Sequence, residues 1–221
     1  MLAPRSDTRP EFLFDGPIEA PMTVALAHGA GAPMDSAFMN SVAADLAAAG
    51  GGRWRVARFE FPYMAARRGD GRRRPPDRQP CLLESWRAAI GTLGALGAKN
   101  IVIGGKSMGG RMASLVADEC RVHGLLCLGY PFHPPRQPER LRTAHLADLA
   151  TRTLVVQGTR DPLGGAPEVA AYSLSPAIRV HWIEDGDHDL VPRKKSGRDK
   201  DLAWHEATDA AAGFLSELMG S

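Results

Sequence analysis

Ser107, Asp161 and His188 have the residue types and the chain order that nucleophilic catalysis needs. A serine hydroxyl attacks poorly until a base takes its proton, and the base works best when an acid fixes its tautomer. Ser107 is the centre of Gly105-Lys106-Ser107-Met108-Gly109, which fits G-x-S-x-G, the pattern of a nucleophile elbow. In such a turn the serine sits in a strained backbone conformation, and the flanking glycines stand where a Cβ would strike neighbouring chain. The expected roles are Ser107 as nucleophile, His188 as general base and then acid, and Asp161 as the anion that orients the imidazole and stabilises its charged form. Such a set cleaves acyl bonds, carboxylic esters first, through an acyl-enzyme.

Rival readings of the same residues fit less well. Gly105-Lys106-Ser107 also ends like the phosphate loop G-x-x-x-x-G-K-[ST], but position 100 is asparagine and residues 101–103 are Ile-Val-Ile, so nucleotide binding is rejected. Among the seven histidines, His123 and His181 fall in strand patterns, His145 and His205 in helical ones, and His28 precedes the elbow. His133 is the competitor for the base, because it too stands in a loop at a strand end. Asp185 and Asp187 adjoin His188 too closely in sequence to reach its far nitrogen, and are expected to shape its turn.

The elements that must position these groups are legible around them. Residues 101–103 are apolar and β-branched, as in a strand buried on both faces, and a helix stripe over 108–119 follows with Met108, Met112, Leu115 and Val116. A strand over 23–27 runs into His28-Gly29-Ala30-Gly31, where the backbone N–H of Gly29 or Ala30 would join that of Met108 as an oxyanion hole. Further strands are read over 11–14 (an edge), 54–61, 122–128, 153–157 and 178–183, and helices over 35–50, 82–96, 169–172 and 202–219. That alternation predicts an α/β fold, a mostly parallel sheet with helices on both faces. Functional loops then lie at the strand C-terminal ends, so His28, Ser107, Asp161 and His188 converge on one edge. The proline-rich stretch 130–141 is the expected pocket wall.

The totals bound the rest. A chain of 221 residues suits one domain over 1–221, with 1–10 a loose leader. Three cysteines without C-x-x-C spacing suggest neither a disulfide framework nor a zinc site, and no metal or cofactor is expected. The N-terminus lacks the apolar core of a signal peptide and no stretch approaches a membrane span, which predicts a cytoplasmic protein. A net charge of +2 implies no strong electrostatic partner. Residues 67–78 carry six Arg against two Asp; without interleaved aromatics this is a solvated loop rather than a nucleic-acid site, and if it borders the site it favours anionic substrates. Residues 193–201 read as a second charged, flexible segment. The partner expected is a small-molecule ester, and the oligomeric state is open.

With these segments placed, the sequence from about residue 21 onward resembles the α/β-hydrolase superfamily. More closely, it is similar to the small bacterial α/β-family hydrolases described as dienelactone-hydrolase-like, related to the testis-expressed and NSL-complex-subunit α/β-hydrolase-like proteins. The likeness rests on H-G-A-G-A-P-M-D at His28, G-G-K-S-M-G-G-R at Gly104, L-G-Y-P-F-H-P-P at Leu128, Q-G-T-R-D at Gln157 and D-G-D-H at Asp185. It implies the α/β-hydrolase fold with little or no cap domain, and a serine hydrolase of undefined substrate. Dienelactone hydrolases proper use a cysteine nucleophile, so serine here argues against that reaction. Lys106 departs from the usual residue; beside the nucleophile, and with His28 and His133, it is expected at the substrate. A non-catalytic binding module on the same fold, or a peptidase or thioesterase using the same triad, are the alternatives.

Overall fold

The apolar runs become strands, and the central ones are buried from end to end. β1 (Phe12–Asp15), β2 (Met22–Ala27), β3 (Trp54–Phe59), β4 (Asn100–Lys106), β5 (Gly124–Leu128), β6 (Thr153–Gly158) and β7 (Ile178–Ile183) form one sheet in the order β1-β3-β2-β4-β5-β6-β7. Among the described strands only β1 runs antiparallel, against β3; every other strand pairing is parallel. The computed structural model describes residues 10–220, so all but the last residue of the expected leader at 1–10 lies outside the described residues.

Strand side chains alternate between faces, and each face has its own helical cover. Val24, Val102 and Leu126 pack with Leu46 of α1 (Ala37–Gly50) and Phe214 of α6 (Lys200–Leu218). Ala27, Ile103 and Leu125 pack on the other side with Leu93 and Trp86 of α3 (Gln79–Ala95) and Met112 of α4 (Met108–Ser114). Trp86 is fully buried and its Nε1 donates to the carbonyl of Gly109 at 3.2 Å, so one side chain fills the layer and pins the start of α4. Truncating it to alanine would cost about 3–5 kcal/mol. This is the mostly parallel sheet with helices on both faces expected from the sequence, without an obvious cap. No helix among the described residues is long and apolar enough to cross a membrane.

Three segments differ from the sequence reading. The helix after the elbow ends at Ser114 rather than running to 119; the Ser114 hydroxyl donates back to the carbonyl of Arg111 at 2.8 Å, and the chain continues in turns such as Val116 N–H to Ala113 O at 3.1 Å. The arginine-rich stretch is partly helical: α2 (Pro62–Asp70) starts with proline in its first turn and stops at Gly71, whose φ of 69° is left-handed. Arg68 there pairs with Asp35 at 2.7 Å and Glu60 at 2.7 Å, and Arg74 with Asp70 at 2.6 Å, so acids of the same surface engage part of that charge. The segment 193–201 is held by Arg193, which pairs with Asp185, and by Asp199, whose side chain caps α6.

Candidate active site

Ser107 sits between β4 and α4 with φ 50° and ψ −113°, a conformation that costs a side-chain-bearing residue about 1–3 kcal/mol. Its neighbours hold it there. Its N–H donates to Leu128 O at 2.9 Å, across the β4–β5 pair, and its carbonyl accepts from Arg111 N at 3.0 Å. The glycines of the motif are steric necessities: a Cβ on Gly105, itself at φ +142°, would lie 2.0 Å from the carbonyl oxygen of Ala27, and one on Gly109 would lie 2.3 Å from that same oxygen. β2 thus passes so close to the elbow that only hydrogen fits on either side of the serine.

The loops after β6 and β7 bring the other two residues to this point. His188 Nε2 is 2.8 Å from Ser107 Oγ, and its Nδ1 is 2.8 Å from Asp161 Oδ2. With the proton on Nδ1 the ring donates to the carboxylate and accepts the serine hydroxyl, the arrangement of a general base. The Asp161 side chain is wholly buried and His188 is about a quarter exposed, at 23%. Leu163 N–H donates to Asp161 Oδ1 at 2.8 Å and Gln157 Nε2 to Oδ2 at 2.9 Å. The aspartates next to the histidine shape its turn as expected: Asp187 Oδ1 accepts the N–H groups of Asp189 and Val191, and Asp185 accepts from Arg193 and Arg160. Those arginines, Arg193 first, hold the Asp185 carboxyl well below its ordinary range.

Gln157 is the residue at this site that sequence reasoning left without a role. It is fully buried near the end of β6; its Oε1 accepts from Tyr130 N at 2.7 Å, while its Nε2 lies 2.9 Å from Asp161 Oδ2 and 3.1 Å from the carbonyls of Tyr130 and Gly164. One amide therefore ties the loop after β5 to the carboxylate behind His188. The available signal was an amide inside an otherwise apolar strand, T-L-V-V-Q-G.

Of the three groups expected at the substrate, two are used elsewhere. His28 has no exposed surface; its Nδ1–H donates to Gly29 O at 2.6 Å and its Nε2 accepts from Phe61 N at 3.2 Å. Burial pulls its pKa down, which keeps the ring neutral and able to accept. Tyr63 Oη adds a bond to Ala30 O at 3.0 Å, so both rings fix the Gly29–Ala30 loop rather than meet a ligand. Lys106 is buried as well: its Nζ donates to His188 O at 2.7 Å and pairs with Asp189 at 3.1 Å, and burial pushes its pKa down. His133 does reach the cleft wall, but its own nitrogens are engaged by Pro134 O at 2.9 Å and Glu168 at 3.2 Å, which removes it as a rival base. The oxyanion candidates fare better. A Cβ on Gly29 would stand 3.7 Å from that of Ser107, and Met108 opens α4, where helical N–H groups lack acceptors within the helix.

Beside His188 lies an open cleft of about 460 Å³, walled by His133, Pro135, Pro138, Pro162 and Leu163. Concavities of about 550 Å³ at the β7–α6 edge and about 560 Å³ against α2 contain none of the three residues, so the candidate site is chosen by its chemistry rather than by its size. The proline-rich segment does supply part of the wall.

Comparison with known proteins agrees with the fold. The model of a family described as an alpha/beta hydrolase domain matches residues 20–216. A dienelactone hydrolase from Anabaena variabilis superposes with a TM-score of 0.74 at 20% identity, over 96% of this chain and 93% of that one. Est1E from Butyrivibrio proteoclasticus gives 0.72 at 14% identity, over 95% and 94%. An alpha-beta serine hydrolase homologue from Coxiella burnetii gives 0.69 at 21% identity, over 90% and 89%.

Proposed function

This chain belongs to the alpha/beta hydrolase domain family, and from that premise we propose that it is a serine esterase working through an acyl-enzyme. The observation that carries the reading is the pair of 2.8 Å contacts from His188, one to Ser107 Oγ and one to Asp161 Oδ2. Ser107 Oγ attacks the ester carbonyl while His188 Nε2 takes its proton. The oxygen that becomes negative is received by the N–H groups of Met108 and of Gly29 or Ala30. His188 then protonates the departing alcohol, and water deprotonated by the same nitrogen hydrolyses the acyl-serine. Asp161, dry and already holding two donors, stabilises the imidazolium in both halves without taking the proton.

A binding module that merely kept this fold would have no need to hold the imidazole against the serine, and the 2.8 Å separation supports the enzyme instead. The test is covalent labelling with a fluorophosphonate probe, with the adduct located by mass spectrometry. Labelling of Ser107 that disappears in His188→Ala is the expected result. Absence of labelling in the folded wild-type protein would overturn the reading. Ser107→Ala should lower ester turnover by about 10⁴-fold or more.

A further inference from the structure

On the esterase reading, the tetrahedral carbon formed on Ser107 carries three other groups, and each has its own direction. The oxyanion points to the N–H groups of Met108 and of Gly29 or Ala30, and the alcohol oxygen must lie within hydrogen-bond reach of His188 Nε2 to collect its proton. The acyl chain takes the direction that is left. The open cleft of about 460 Å³ has His188 in its wall, and neither Ser107 nor any of the three oxyanion candidates lines it. Its size falls among small-molecule sites, which span about 300–1,000 Å³. A group attached to the alcohol oxygen can enter this cleft past His188, whereas the acyl chain starts at the carbon on Ser107, which is not part of it.

The walls are apolar and stiff. Pro135 and Pro138 come from the loop after β5, Pro162 and Leu163 from the loop after β6, and proline rings fix the backbone that carries them. The two loops are tied to each other: Gln157 Nε2 lies 3.1 Å from the carbonyls of Tyr130 and of Gly164, and Arg142 N–H closes the first loop on Phe132 O at 2.7 Å. His133 offers a ligand nothing, because both its ring nitrogens are spent, on Pro134 O at 2.9 Å and on Glu168 at 3.2 Å. Arg136 differs: it is exposed, it lines the same cleft, and its guanidinium has no ion pair or hydrogen bond among the described residues. An anion is not what this cation awaits, since the Glu168 carboxylate shares the cleft and would repel one. Proline rings and a guanidinium plane are instead both surfaces against which an aromatic ring packs.

We propose that this cleft is the leaving-group subsite, and that the ester hydrolysed at Ser107 carries an aromatic ring on its alcohol side, as a benzyl ester does, with Leu163 and Arg136 selecting it. Leu163 has a double position. Its N–H holds Asp161 Oδ1 at 2.8 Å while its side chain lines the cleft, so an alcohol seated against it is placed relative to the triad. This inference rests on the esterase reading for its catalytic half, and two measurements separate them.

The first is the ratio of kcat/KM for benzyl acetate to that for its isomer methyl phenylacetate, which moves the same ring to the acyl side. The wild type should favour benzyl acetate by about tenfold. Leu163→Ala should cut the ratio by about tenfold and Arg136→Gln by about threefold, comparisons in which the intrinsic reactivities of the two esters cancel. The second is an NMR titration of the Ser107→Ala protein with benzyl alcohol, which should bind saturably, with cyclohexylmethanol about threefold weaker, and should weaken by about fivefold or more when Leu163→Ala is added. A wild-type ratio below about threefold, a ratio that stays within about twofold of wild type in both variants, or equal binding of the two alcohols overturns the subsite. Leu163-dependent binding of benzyl alcohol without turnover of either ester would leave the subsite standing and sink the esterase reading. Turnover of both esters with an unaltered ratio would do the reverse. Arg136→Gln, at an exposed position, keeps the test open if Leu163→Ala does not fold.

Discussion

The ammonium of Lys106 donates to the backbone carbonyl of His188 at 2.7 Å, so the residue before Ser107 grips the main chain of His188. Its charge partner, Asp189, is 69% exposed in its side chain, which means that removing the lysine strands no buried anion. The two consequences of Lys106→Met therefore have opposite signs. Turnover should fall by about tenfold, because the His188 loop loses its tether. Stability should change by less than about 1 kcal/mol or rise, because a desolvated cation has been replaced by an apolar chain of similar length. Ester kinetics beside a thermal melt would check both, and a large loss of stability would refute the argument.

Gln157 makes a different prediction, since all its partners are buried with it. Gln157→Leu leaves Tyr130 N–H without an acceptor and removes the amide from Asp161, for a cost of about 2–4 kcal/mol. Activity should fall further than the loss of folded protein explains, because Asp161 would then hold only the Leu163 N–H besides His188. Denaturant titration and kinetics on the folded fraction separate the two effects.

What could be read from the sequence was what local physics determines. The apolar run before Ser107 and the glycines on either side of it specify a strand and a turn within ten residues, and the order Ser107, Asp161, His188 follows once loops are placed at strand ends. Lys106 and His188 are 82 residues apart, and their bond needs glycine at a third distant position: a Cβ on Gly129, itself at φ +65°, would lie 2.6 Å from His188 O and 3.3 Å from Lys106 Nζ. Gln157 reaches Tyr130 through the β5–β6 pairing, which sequence spacing does not encode. His28 shows the converse failure. Its position at a strand end suggested a ligand group, but Phe61 N and Gly29 O, neither a side chain, had already taken both nitrogens.

The elbow's strain can be measured without any substrate. Ser107→Ala keeps a Cβ at φ 50°, whereas Ser107→Gly relieves it. Both variants should be inactive, yet the glycine variant should be the more stable of the two by about 1 kcal/mol, net of the extra entropy glycine loses on folding. Equal melting temperatures, or a less stable glycine variant, would show that Ser107 is not strained.

His28 ties the Gly29–Ala30 loop to pH. Burial holds its folded-state pKa below the ordinary value of 6.5, so the unfolded chain binds a proton more readily than the native one between those two values. The stability this contributes is complete above pH 6.5 and is lost as the pH falls through 6.5 toward the folded pKa. His145, also depressed by burial, adds a component of the same sign. The melting temperature of the wild type should therefore drop on acidification across this window, and His28→Gln should flatten the drop without abolishing it, because His145 remains. The same variant loses a ring that bridges Gly29 O to Phe61 N, so above the window it should be less stable by about 1–3 kcal/mol. A wild type and variant whose melting temperatures run parallel with pH would show that His28 is not held neutral by the fold.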